Sequence, residues 1–244
     1  MKELRQSSQL KALYNKEAKR YFSCTIYVFN TFFSLILMAI GAIAIQVVPL
    51  KQLDMIMSEP TMFRMMKILV PYALAFMVSM CAISASSISL EGKNFWILKA
   101  APIRANSLFI AKILFSISLT MPFCAIASLS FIIRFHMNLQ ESVIAVLLPL
   151  AYCYFTAVLG LFVNLKLPMM EWKNETVVVK QSAAAMIGSL SGFLTVGLPM
   201  IPIFLLKEID PMVTSYLTFA LIVALAAGLQ LYMKQHDARL IADI

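Results

Sequence analysis

The chain has 244 residues, of which 61% are hydrophobic and 13% charged, with a formal net charge of +8 and a mean hydropathy of +0.85. Soluble domains carry roughly 25% charged residues, so this composition excludes an ordinary soluble fold and puts the chain in the membrane class. In that class a surplus of Lys and Arg reports topology and contact with anionic lipid, and nucleic acid is not an expected partner.

The first 25 residues form a polar, basic leader with no cleavable signal pattern, which makes the first apolar run an uncleaved anchor. Within the leader, Leu10, Leu13, Tyr14, Ala18 and Tyr21 share one helical face, while Lys11, Lys16, Lys19 and Arg20 lie mostly around the other. This pattern predicts an amphipathic helix lying along the lipid headgroups, in preference to a merely solvated basic leader.

Six uncharged runs follow, at residues 26–48, 68–90, 113–133, 142–165, 183–206 and 213–233, and a tail at 234–244 closes the chain. About 20 helical residues cross a hydrocarbon core of roughly 30 Å. Backbone groups in lipid must pair internally, so the runs predict six transmembrane helices in an all-α integral membrane protein, with 26–233 as one domain. A barrel is excluded by the lack of two-residue alternation. With both termini inside, fifteen Lys and Arg fall on the inner segments and five on the outer ones, which supports cytoplasmic termini.

The six runs contain no Asp, Glu, Lys, Arg or His. Ion-driven transporters usually carry ionisable groups at depth, and so do intramembrane hydrolases. No GxxxxGK[ST] phosphate loop occurs, so the chain is not its own ATPase. Cys24, Cys81, Cys124 and Cys153 form no CxxC pair and read as small core residues; neither a cofactor nor a metal site is implied. Asn174-Glu175-Thr176 falls in an inner loop and reads as a chance sequon. Pro199 and Pro202 predict a break in the fifth helix near its outer end. Two small-residue ladders are candidate helix-packing faces: Ala184, Gly188 and Gly192 in the fifth run, and Ala220, Ala224 and Gly228 in the sixth. Either can serve the bundle or a second chain.

Between the second and third runs lies "SLEGKNFWILKAAPIRANSLFIAK", residues 89–112. After Gly92 it can form a short helix stopped by Pro102, with Phe95 and Leu98 on one face, Trp96 beside them, and Lys93 and Lys99 flanking. One reading is a set of aromatics resting in the membrane interface. The other is a docking knob that inserts into a groove on a cytosolic partner.

The words "SISLEGKNFWILKAAPI" (87–103) and "YNKEAKRYFSCTIYVFNT" (14–31) resemble segments of bacterial ATP-binding cassette (ABC) transporter permeases, in particular putative exporter permeases of Gram-positive organisms. The resemblance is specific over the first stretch and looser elsewhere. It implies a six-helix permease with an amphipathic helix before the first span and a cytoplasmic coupling helix between spans two and three. It also implies a separate ABC ATPase subunit, a second permease protomer in a homodimer or heterodimer, and a bacterial cell-membrane location. Phe95, Trp96 and Leu98 would transmit motion, Lys93 and Lys99 would fix register, and Glu91 with Gly92 would brace the helix start. Permeases of this kind are often about twice as long, and the chain looks like the carboxy-terminal half of one. Export is favoured by the resemblance and by the short outer loops, and uncharged spans suit a hydrophobic or amphipathic cargo.

Two other classes compete. One is a non-transporting scaffold that recruits a cytosolic partner through 89–112. The other is a lipid-acting membrane enzyme built on His136 or His236 with Glu141 or Asp237, although neither histidine belongs to a recognisable motif.

Overall fold

A computed structural model describes residues 8–49, 60–205 and 210–244. Residues 1–7 of the leader, much of the loop between the first two runs (50–59) and the end of the fifth run with the start of the loop after it (206–209) lie outside the described residues. The helices are α1 (Gln9–Ser23), α2 (Thr25–Val47), α3 (Pro60–Cys81), α4 (Phe95–Ala100), α5 (Ala105–Arg134), α6 (Leu139–Lys166), α7 (Glu175–Gln181), α8 (Ala183–Leu205), α9 (Pro211–Gln235) and α10 (Asp237–Ala242). Two 3-10 turns, Ile83–Ser86 and Ser89–Asn94, separate α3 from α4.

Six helical segments, built on α2, α3, α5, α6, α8 and α9, are long and apolar enough to cross a membrane, and no strand occurs among the described residues. The all-helical, six-span reading is therefore met. The bundle's exterior carries many large apolar side chains. Phe29, Phe33, Ile43, Ile126, Leu190 and Leu217 are all exposed, an arrangement that water would penalise and lipid would not.

α6 is the central post, packed against α3, α5, α8 and α9. Its start is set by a capping box, in which the Asn138 side chain accepts from the Glu141 amide while the Glu141 carboxylate accepts from the Asn138 amide. Glu141 also pairs with Lys67 of α3 at 3.0 Å, tying two helices at that end of the bundle. Asp210 caps α9 with Pro211 in the first turn, and Asn174 caps α7 by accepting from the Thr176 amide at 2.9 Å. The asparagine of the apparent sequon thus has a local structural role.

Two expectations are corrected. The second run is not one helix through residue 90: α3 starts at Pro60 and ends at Cys81, where Ala82 takes a positive φ of 29°, and tighter turns follow. Pro199 and Pro202 do not break α8, which runs unbroken through both to Leu205. Pro199 has no N–H for the Thr195 carbonyl, and the Tyr152 hydroxyl of α6 donates to that carbonyl instead, at 2.5 Å. α1 forms the helix expected of the leader. It lies against α5, buries Leu13, Glu17 and Tyr21, and joins Tyr14 Oη to Ser118 Oγ at 2.6 Å.

The ladders separate. Gly188 and Gly192 face the interior, where a β-carbon on Gly192 would lie 2.4 Å from the Ser79 Cβ and one on Gly188 would lie 3.2 Å from the Ala85 Cβ. This ladder packs within the chain. Ala220, Ala224 and Gly228 lie on the exposed side of α9, with open space around Gly228.

Candidate functional site

The segment between α3 and α4 is buried without a break from Ile83 to Gly92. Burying a backbone outside an α-helix requires outside partners for its amides and carbonyls, and four elements supply them. From α6, Asn164 Oδ1 accepts from the amides of Ile88 (2.7 Å) and Ser89 (3.1 Å), and its Nδ2 donates to Ser89 Oγ at 2.6 Å. From the loop after α6, Met169 N donates to Ser89 Oγ at 2.9 Å and Trp172 Nε1 donates to the Ser89 carbonyl at 2.9 Å. From α5, Lys112 Nζ donates to the Ser87 carbonyl at 2.9 Å. From α1, Arg20 donates to the Leu90 carbonyl. The serine-rich composition has a related use: the hydroxyls of Ser84 and Ser87 donate to the carbonyls of Thr156 and Ser84 at 3.3 and 2.9 Å.

The segment also carries charge into the interior. Glu91 is 4% exposed, and its carboxylate accepts from Lys16 at 2.7 and 2.8 Å and from Arg20 at 2.5 Å. Lys112, 1% exposed, lies 3.5 Å from Glu91 and 2.5 Å from Glu17. Burial pushes the Glu91 carboxyl up, but Lys112, Arg20 and Lys16 outweigh it and hold the group below the usual carboxylate range. A buried carboxylate held by three cations from two helices fixes the relative position of α1, α5 and the segment.

Gly92 turns the chain outward. Its φ of 54° belongs to the left-handed region, and a β-carbon there would meet the Trp172 indole at 3.1 Å. Six residues of α4 follow. Phe95 is buried among Leu13, Leu108, Phe109, Leu161 and Leu165, and Leu98 packs at the edge of the same cluster. Trp96 is 64% exposed and Ile97 52%. Lys93 and Lys99 are exposed on either side, Lys99 reaching to 5.8 Å from the Phe95 ring centre.

The seven residues singled out in sequence therefore divide into two sets. Glu91, Gly92 and Phe95 are anchors, with Leu98 partly covered. Trp96, Lys93 and Lys99 are the outward groups, and Ile97 joins them. The expected outward face of Phe95 and Leu98 is corrected: residues three apart share a helical face, and here that face is the one covered by the bundle. Glu17, Lys112, Asn164, Ser89 and Trp172 were not anticipated as site residues. Two left a trace in the sequence. Glu17 sits four residues from both Leu13 and Tyr21 on the apolar stripe of α1, and Lys112 stands in the buried register of Leu108 and Ser116 on α5.

The two histidines stand apart from this cluster. His136, with a φ of 46°, is exposed in the turn after α5. His236 stacks on Tyr232 at 4.4 Å between ring centres. Among the described residues no group of three or more His, Cys, Asp or Glu could hold a metal ion. All four cysteines are buried free thiols. Comparison with protein-family models, curated proteins and solved structures finds no match for this chain.

Proposed function

We propose that the chain is the membrane-spanning permease subunit of an ABC transporter, exporting a hydrophobic or amphipathic substrate with energy from a separate ATPase chain. One observation carries the reading. A short helix and the residues leading into it display a tryptophan, an isoleucine and two lysines outward, while their root is bonded to α1, α5, α6 and the loop after α6.

A coupling element must do two things. It must offer a desolvatable aromatic anchor to a partner, and it must pass displacement on without yielding. Trp96 and Ile97 meet the first demand. The second is met by Phe95 in the core, Gly92 beneath Trp172, and Glu91 between Lys16, Arg20 and Lys112. A push on Trp96 would thus reach α1 and α5 through Glu91, and α6 through Asn164.

With six spans the termini and the α3–α5 connection share one side, and the excess of Lys and Arg on that side supports its being cytoplasmic. The exposed Ala220, Ala224 and Gly228 of α9 offer a close-packing face to a second protomer. Membrane lipid surrounds the rest.

The test is co-reconstitution of this chain with the ABC ATPase that co-purifies with it, measuring ATP hydrolysis and binding. Trp96→Ala with Ile97→Ala should weaken the complex at least tenfold and remove the dependence of hydrolysis on the permease, with the thermal unfolding of the chain unchanged. An ATPase rate indifferent to both the chain and the double substitution would overturn the proposal. A stable cytosolic partner without ATPase activity, held through Trp96, would identify a scaffold.

A further inference from the structure

A cavity of about 680 Å³ opens between α2, α3, α7 and the start of α8, within the roughly 300–1,000 Å³ usual for ligand pockets. Its lining is graded. Phe33, Leu37, Phe76, Met77 and Met186 make it apolar, while Lys180 and Asn30 stand at the end nearest α7. Phe33, Leu37 and Met186 are themselves exposed, so the cavity opens sideways, toward where the hydrocarbon of a bilayer would lie. Its floor includes small groups: Ser34, Ala185 and Ser189.

The polar end points to one occupant chemistry. Among the described residues no carboxylate pairs with Lys180, and the Asn30 amide makes no hydrogen bond. Several exposed lysines of the chain have no carboxylate partner among the described residues; Lys180 differs from them in lining this cavity, beside Asn30. Asn30 to Leu37 covers about 10 Å of helix at 1.5 Å per residue, or about two-thirds of a leaflet of roughly 15 Å. An acyl chain entering sideways would therefore lie along the methionines and phenylalanines while its headgroup met Lys180 and Asn30 at the membrane surface.

We propose that this cavity is a lateral binding site for an anionic membrane lipid, with one acyl chain in the Phe33–Met77–Met186 groove and the headgroup phosphate on Lys180 and Asn30. The site is one of lipid binding and does not depend on any coupled ATPase. Methionine suits it because the side chain adapts to chains of differing shape.

The purified chain, alone in phosphatidylcholine nanodiscs, would receive a trace of phosphatidylglycerol with a photoreactive acyl chain, and labelled peptides would be mapped by mass spectrometry. Labelling should concentrate on Phe33, Leu37, Met77 and Met186. It should fall at least fivefold with Lys180→Glu, about twofold with the milder Lys180→Gln, and strongly with Asn30→Trp, which fills the mouth from an exposed position. Lys173→Glu, another exposed lysine, should change nothing, and matched size-exclusion profiles establish that the variants are folded. Even labelling over Ile126, Leu217 and Leu221 would overturn the proposal. So would equal groove labelling by the same probe with a zwitterionic headgroup. Because no ATPase is present, either failure leaves the permease reading untouched, and failure of ATPase coupling leaves this site untouched.

Discussion

Replacing Lys112 with methionine removes the cation that stands between two buried carboxylates while keeping an unbranched side chain only one atom shorter. Glu17 then has no remaining cation among the described residues, whereas Glu91 keeps Lys16 and Arg20. Stripping one partner from a buried ion pair costs roughly 3–5 kcal/mol, because the other charge stays desolvated. The Ser87 carbonyl also loses its donor, a further contribution of about 1–2 kcal/mol. Exchanging both members for apolar groups of similar size is often close to neutral, so Glu17→Leu with Lys112→Met should recover most of the loss and leave a deficit of about 2 kcal/mol. Reversible unfolding in mixed micelles, followed by circular dichroism, measures all three variants. If the double variant is as unstable as the sum of the singles to within about 0.5 kcal/mol, the pair is not coupled and the ion cluster is not what holds α1 to α5.

Further tests use the same assay. Glu91 has its carboxyl held below the unfolded value of about 4.3, so it contributes stability above that pH and loses it as pH falls through the lower folded value. Stability should hold from neutrality to about pH 4 and then drop, and Glu91→Gln should be less stable at neutral pH with a shallower acid decline. Gly192→Ala drives a β-carbon to within 2.4 Å of Ser79 and should cost about 1–3 kcal/mol, whereas Gly228→Ala meets open space and should gain about 0.5–1 kcal/mol in the isolated chain. Tyr152→Phe strips the donor from the Thr195 carbonyl exposed by Pro199 and should cost about 0.5–2 kcal/mol.

Six spans were legible because lipid imposes one local rule on every residue of a run, namely continuous apolarity over about 20 positions. The position of α4 was legible for a similar reason: Gly92 and Pro102 are local punctuation. What stayed hidden depended on pairing across the chain. Glu91, Glu17 and Lys112 are each ordinary as single letters near a helix end, and Lys112 is one position outside an uncharged run, where it counts toward topology. Only the meeting of Lys112 with Glu17, 95 residues before it, and with Glu91, 21 residues before it, turns them into a buried cluster. The orientation of α4 was hidden for the same reason. Phe95 and Trp96 are neighbours of similar hydrophobicity, and the choice of which faces inward belongs to the pocket of Leu108, Phe109 and Leu161. Tyr152, whose hydroxyl serves the Thr195 carbonyl left without an N–H by Pro199, lies 43 residues before Thr195 and belongs to another helix.

The site places an expensive kind of interaction where an apolar one would have held the helices as firmly. A hydrophobic contact tolerates sliding, since its energy depends mainly on area removed from water. A buried carboxylate with donors on Lys16, Arg20 and Lys112 does not, because displacement by a few ångströms strands a charge. For a segment whose proposed task is to carry motion from Trp96 to the spans, that difference matters more than net stability. An apolar root could creep under load, while an ionic root moves as one piece with α1 and α5. The double variant of the opening prediction separates these two properties. If Glu17→Leu with Lys112→Met restores stability but not the dependence of a bound ATPase on this chain, the cluster serves rigidity. If both return together, it serves stability alone, and the transmission path runs through Asn164 and α6.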